Sequence, residues 1–207
     1  MDPRWKHPFT AILAGPTGCG KTLFTFNFIK DANKMIHPPP ENIVYCYGEY
    51  QPIFNDYPHV TFHEGLPHID QFDGKQPTLL IIDDLMSETN DSISNLFTKV
   101  SHHRNVSIMY LSQNLFYRSK QNRMNTVTLN AHYIVLFKNP RDANQVATLA
   151  RQMYPGKSKF LVEAFKDVTE KPYGYLLIDL KPDTEEKIRV RTNIFPADER
   201  HYVYVPR

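Results

Sequence analysis

Apolar residues in this 207-residue chain gather in short unbroken runs, and between the runs they recur at helical spacing. Phe9–Ala14, Ile43–Tyr47, Thr78–Ile82, Val106–Leu111 and Tyr133–Phe137 carry apolar side chains at nearly every position. A strand with one wet face alternates, whereas a strand buried on both faces does not, so runs of this kind predict a parallel sheet covered by helices. Helical spacing takes over in Leu23–Lys30, Ser87–His103, Arg141–Tyr154 and Phe160–Val168, the third of these stopping before Pro155-Gly156. Three consecutive prolines make His37–Asn42 a loop, since they fit neither a helix interior nor a central strand. Val60–Phe62 reads as a short strand, Gln51–Tyr57 is ambiguous, and Asn114–Asn130 is a polar segment. The pattern changes near the end, where Tyr173–Leu180 and Lys187–Ile194 read as two strands joined by a polar turn, a hairpin added to the sheet edge.

Strands alternating with helices specify an α/β fold of three layers with a mostly parallel central sheet. The chain is expected to form a single domain: a core over about residues 8–155, a helix and β-hairpin extension over about 157–195, and a tail over 196–207. Right-handed crossovers place every parallel strand's C-terminus on one edge, where ligands bind in open α/β sheets.

That edge gathers the chemistry. The first apolar run leads into Gly15, Pro16, Thr17, Gly18, Cys19, Gly20, Lys21 and Thr22, which spell G-x-x-x-x-G-K-T ahead of a helix. A strand, this octapeptide and a helix make a P-loop. The glycines permit a tight turn whose N–H groups face phosphate oxygens at the positive end of a helix dipole. Lys21 reaches toward the β- and γ-phosphates, and the Thr22 hydroxyl is placed to hold Mg²⁺. The third run ends in Asp83-Asp84, a Walker B pattern in which Asp83 holds Mg²⁺ and Asp84 orients or deprotonates the attacking water. An Asp is shorter than a Glu, so Glu88 stands as a reserve base. Gln113 ends the fourth run and is placed to sense the γ-phosphate or the lytic water.

Beyond it, Tyr117–Arg123 is basic. One of its arginines could stabilise phosphoryl charge across a subunit interface, the loop could touch DNA phosphates, or it is simply solvated. Arg141, in Asn139-Pro140-Arg141-Asp142, has a similar claim, with a cap-region role as the alternative.

Charge and cysteine content change little. A net charge of +2 permits a basic surface without requiring one. Cys19 is a small residue inside the loop and Cys46 a buried free thiol, so no disulfide framework is expected. No apolar run approaches the ~18 residues that cross a bilayer, and Met1–Pro8 lacks a signal-peptide core, which together point to an intracellular protein.

The succession Gly15–Thr22, Leu80–Met86, Leu111–Phe116, Leu129–Tyr133, Phe137–Asp142 and Ala150–Pro155 resembles the genome-packaging ATPases of the FtsK–HerA superfamily. The similarity is closest to the poxvirus-like type found in Polinton/Maverick elements, adintoviruses and virophages, over about residues 8–195. The Ser-Gln-Asn and Asn-Pro-Arg-Asp segments carry the specificity, because Walker motifs are shared far more widely. The resemblance implies a RecA-like core of strand order 5-1-4-3-2 that uses ATP and Mg²⁺. It also implies a homo-oligomeric ring, pentameric or hexameric, that pushes double-stranded DNA, without regard to sequence, into a capsid. By position, Lys21 and Thr22 match Walker A, Asp83 and Asp84 the Walker B acids, and Gln113 the polar sensor. Asp84 departs from the family's frequent Glu. For the arginine finger, Arg123 is named ahead of Arg141 and Arg118. Capsid proteins as partners, and a host nucleus, cytoplasmic virus factory or virion as location, follow from the same resemblance. Two other readings stay open on the residues alone: a nucleotide kinase, which would want an arginine-rich lid, and a nucleotide-gated assembly factor with little turnover.

Overall fold

The computed structural model describes residues 2–83, 85, 90–101, 104–116 and 124–206. In chain order the strands are β1 (Trp5–Lys6), β2 (Thr10–Ala14), β3 (Ile36–His37), β4 (Asn42–Tyr47), β5 (Thr61–Glu64), β6 (Thr78–Asp83), β7 (Val106–Ser112), β8 (Tyr133–Phe137), β9 (Tyr175–Asp179), β10 (Val190–Thr192) and β11 (Tyr202–Tyr204). The helices are α1 (Lys21–Lys30), α2 (Ala32–Met35), α3 (Asn90–Asn95), α4 (Met124–Leu129), α5 (Asn144–Met153) and α6 (Ser158–Val168); α3 continues as a π-helical turn, Leu96–Val100.

Among the described residues, nine strands form one sheet in the order β11-β10-β9-β8-β2-β7-β6-β4-β5. The six from β5 to β8 run parallel, and β9, β10 and β11 extend the β8 edge antiparallel. The apolar runs have the predicted burial: every residue of β2, β6, β8 and β9 is buried. Successive side chains in each strand point to opposite faces, so the sheet divides the core in two. Ile12, Leu80, Ile82, Ile108 and Ile134 face one layer with α3, α5 and α6. Ala11, Leu13, Leu79, Ile81 and Val135 face the other with α1 and α2. The second layer is rich in rings: Trp5 stacks on Tyr133 at 4.2 Å between centroids, and Phe26 stacks on Tyr45 at 5.5 Å.

Several boundaries differ from expectation. The polar segment 114–130 contains α4, whose Val127 is buried in the core. Gln51–Tyr57 forms a 3₁₀ turn over Pro52–Asp56 that carries the buried Phe54. The second strand of the hairpin is shorter than Lys187–Ile194, because Glu186–Ile188 is a 3₁₀ turn and pairing begins at Val190. The tail supplies a further strand, β11, against β10. At the start of the chain, β1 pairs with β3 in a separate two-stranded sheet. That corner is fixed by His7, whose Nδ1 lies 2.5 Å from Ser107 Oγ and whose Nε2 lies 2.9 Å from Asn105 Oδ1.

Candidate nucleotide site

Register alone brings the ends of the central strands level. Ala14 pairs with Ser112 and Leu136, Asp83 with Leu111, and Tyr47 with Asp83. The loop after Ala14 therefore lies between β7 and β8, and its start is tied down where Gly15 N–H donates to Ser112 C=O at 3.1 Å.

The glycines of the loop are needed for separate reasons. A Cβ on Gly15 would come within 2.6 Å of Cys19 Sγ and 2.8 Å of Phe137 Cβ, so nothing larger fits between the loop and β8. Gly18 and Gly20 adopt φ of +78° and +110°, which side-chain-bearing residues rarely do. Gly20 caps α1, and its carbonyl accepts the Phe24 N–H, so the free amides of the helix start face the loop interior. Over that interior the Lys21 ammonium bends back to the carbonyls of Gly15 at 2.5 Å and Pro16 at 3.1 Å. Cys19 is half-buried, and its burial pushes the thiol up from the ordinary range, so it stays protonated beside the lysine.

A cleft of about 380 Å³ opens from this loop, lined by Thr17, Gly18, Gly20, Lys21, Thr22, Leu23, Gln51, Asp83, Leu111, Gln113 and Tyr173. Lys21, Thr22, Asp83 and Gln113, chosen from sequence, thus share one cleft. Asp83 is buried at the end of β6, and Tyr45 on β4 donates its hydroxyl to Asp83 Oδ2 at 2.5 Å. The burial of Tyr45, together with the adjacent carboxylate, drives its phenol far above the normal range, so it is a permanent donor. Phe26 of α1 stacks on the Tyr45 ring, so the helix that follows the phosphate loop also props the residue that bonds the acid. Sequence reasoning missed Tyr45, because a tyrosine in an apolar strand announces only burial.

Gln113 stands exposed at the mouth of the cleft, and the residues after it are tied to a second segment. The side chain of Gln145, on α5, accepts the Leu115 N–H at 2.8 Å and donates to Asn114 Oδ1 at 3.2 Å and to Asp142 Oδ2 at 2.9 Å. One buried amide therefore joins the Ser-Gln-Asn segment to the Asn-Pro-Arg-Asp turn. Arg141 is exposed on that turn, its N–H bonded to Asn139 Oδ1 at 3.1 Å, and it is not among the residues lining the cleft. Asp84, Glu88, Arg118 and Arg123, with the rest of the basic stretch 117–123, lie outside the described residues.

No protein-family model and no curated protein matches this chain. Similar solved structures include a KaiC-like protein from the hyperthermophilic archaeon Pyrococcus horikoshii, with 14% identity and a TM-score of 0.48 over 96% of this chain and 90% of that one. Another is C. elegans PCH-2, with 13% identity and a TM-score of 0.35 over 79% of this chain and 51% of that one. Likeness at this level says nothing about site or substrate, and the chemistry rests on the chain's own residues.

Those residues fit a nucleoside triphosphate with a divalent cation. The cradle of amides and the lysine meet phosphate charge, and the Gly15 contacts show that the loop has no room to be anything but bare backbone there. Among the described residues no cluster of three or more His, Cys, Asp or Glu could hold a metal unaided. A cation here would be held by Thr22, Asp83 and the phosphates of the ligand itself, the usual arrangement for Mg²⁺. Among the described residues no helix is long and apolar enough to cross a membrane.

Proposed function

We propose that this protein is an ATP-hydrolysing motor that translocates double-stranded DNA, packaging a viral or virus-like genome into a capsid as a homo-oligomeric ring. The observation that carries the hydrolytic part is the shared cleft: Lys21 and Thr22 from the loop after β2, Asp83 from β6 and Gln113 from β7. The DNA part is supported by the sequence resemblance, above all the Ser-Gln-Asn and Asn-Pro-Arg-Asp segments, which Gln145 bonds together.

In this reading Lys21 and the loop amides neutralise phosphate charge, and bound Mg²⁺ supplies Lewis-acid polarisation of the phosphoryl oxygens. Tyr45 donates to Asp83, one of the residues that would hold the cation, and so would steady it for that role. Asp84 activates the water, and Gln113 registers the state of the γ-phosphate. Movement of Gln113 is passed through Asn114, Gln145 and Asp142 to the turn that carries Arg141. DNA is gripped by its phosphates and not read by its bases.

ATP turnover measured with and without duplex DNA tests the whole reading. Stimulation by duplexes of unrelated sequence, falling steeply as salt rises, is expected. Stimulation by a nucleoside monophosphate and not by DNA would make the protein a kinase instead. Lys21→Ala should abolish nucleotide binding while leaving the circular-dichroism spectrum unchanged; a variant that still binds ATP normally would remove the site.

A further inference from the structure

We propose that Tyr173, with Leu23 facing the same cleft, forms the seat for the nucleobase of the bound nucleotide. This deepens the nucleotide reading above and rests on it.

Three observations converge on this tyrosine. It lines the cleft that holds Lys21, Thr22 and Asp83, and its ring lies against Gly20, where an added Cβ would stand 3.1 Å from the ring. It is 60% exposed and Leu23 is 53% exposed, two of the few large apolar side chains left uncovered among the described residues. An exposed ring beside an exposed leucine, opening onto a phosphate-binding loop, has the chemistry of a stacking platform.

The third observation is conformational. Tyr173 has φ of +60°, in the left-handed region. Lys171-Pro172-Tyr173-Gly174 closes a turn in which the Gly174 N–H donates to the Lys171 carbonyl at 3.2 Å. Proline in the second place and positive φ in the third are the pattern of a type II turn, whose third place is normally glycine or asparagine. A tyrosine held there is strained, and strain of this kind gathers at functional sites. Gly174 explains how the turn is enforced: a Cβ on it would strike the Val168 carbonyl oxygen at 1.8 Å, so the chain passes hard against the end of α6 before entering β9.

Topology brings the turn to the right edge. β9 runs antiparallel to β8, with Tyr175 opposite Phe137, so the start of β9 lies beside the end of β8 and beside Gly15. A base stacked on Tyr173 would follow the phosphates out of the loop past the first turn of α1, where Leu23 stands.

The test compares ATP with inorganic tripolyphosphate, which offers the phosphates and no base, by calorimetric titration of the unmodified protein, Tyr173→Phe and Tyr173→Gly. The unmodified protein and Tyr173→Phe should bind ATP alike. Tyr173→Gly should weaken ATP about tenfold, the loss of one base–aromatic stack, and leave tripolyphosphate affinity unchanged. Its melting temperature should hold or rise, since glycine relieves the turn. A purely structural tyrosine would instead give a less stable variant with equal losses for both ligands, and that outcome overturns the proposal. Unchanged ATP affinity in Tyr173→Gly also overturns it while leaving the phosphate site standing. Failure of the unmodified protein to bind either ligand overturns both.

Discussion

Tyr45 shows how a single hydroxyl can set the working of this site. It lies on β4 beneath Phe26 and gives Asp83 a buried 2.5 Å hydrogen bond that helps to orient the carboxylate. Tyr45→Phe keeps the ring stack and removes only that bond. The expected result is a rise of about tenfold in the Mg²⁺ concentration giving half-maximal ATP turnover, in keeping with the usual cost of losing an outer-shell partner, with the fold intact. Magnesium titration of steady-state turnover checks it. The octapeptide and Asp83 were legible in the sequence because their spacing is the signal. Tyr45 and Gln145 were not, because each acts across the sheet on a residue far away in the chain, and no local pattern records such pairs.

Among the elements, the N-terminal strand has an attachment that depends on protonation. Ser107 Oγ accepts the Phe9 N–H at 3.1 Å and lies 2.5 Å from His7 Nδ1, while His7 Nε2 lies 2.9 Å from Asn105 Oδ1. Burial of this imidazole lowers its pKa below the ordinary value. The folded state then binds the proton less readily than the unfolded chain. The stabilisation is complete above the unfolded value of about 6.5 and is lost as pH falls through it toward the lowered folded value. Melting temperature should therefore drop more between pH 7.5 and pH 5.5 in the unmodified protein than in His7→Gln, which hydrogen-bonds without titrating. Equal drops would show that His7 is not the group responsible. Long elements were readable because burial on two faces leaves a continuous apolar run, as in β6 and β8. The two-residue β1 and β3 and the three-residue β11 span too few positions to show a period. The short helix α4, with Val127 in the core, was hidden because six residues are too few to show a helical period.

For the whole molecule, the proposed ring makes a prediction that no single chain can satisfy. If each site depends on its neighbour, subunits that cannot hold nucleotide will disable competent ones. Mixing the unmodified protein with an equal amount of Lys21→Ala should then lower DNA-stimulated turnover to well under half. A proportional fall to one half, measured at concentrations where the protein is assembled, would mean that the subunits work independently. The α/β class and the common edge of the strands were legible from the alternation of runs and helices. The antiparallel extension was only half legible: its strands showed, but Tyr173 read as the first residue of a strand and not as the strained corner of a turn.

The reversal of β9 also orders events during synthesis. Gly20 and Tyr173 lie far apart in the sequence, yet they meet beside the same cleft. A ribosome releases the whole phosphate loop long before the turn that packs against it, so the base seat proposed above cannot form until residue 173 has emerged. Thermal protection by ATP should accordingly be weaker in any fragment that stops short of residue 173.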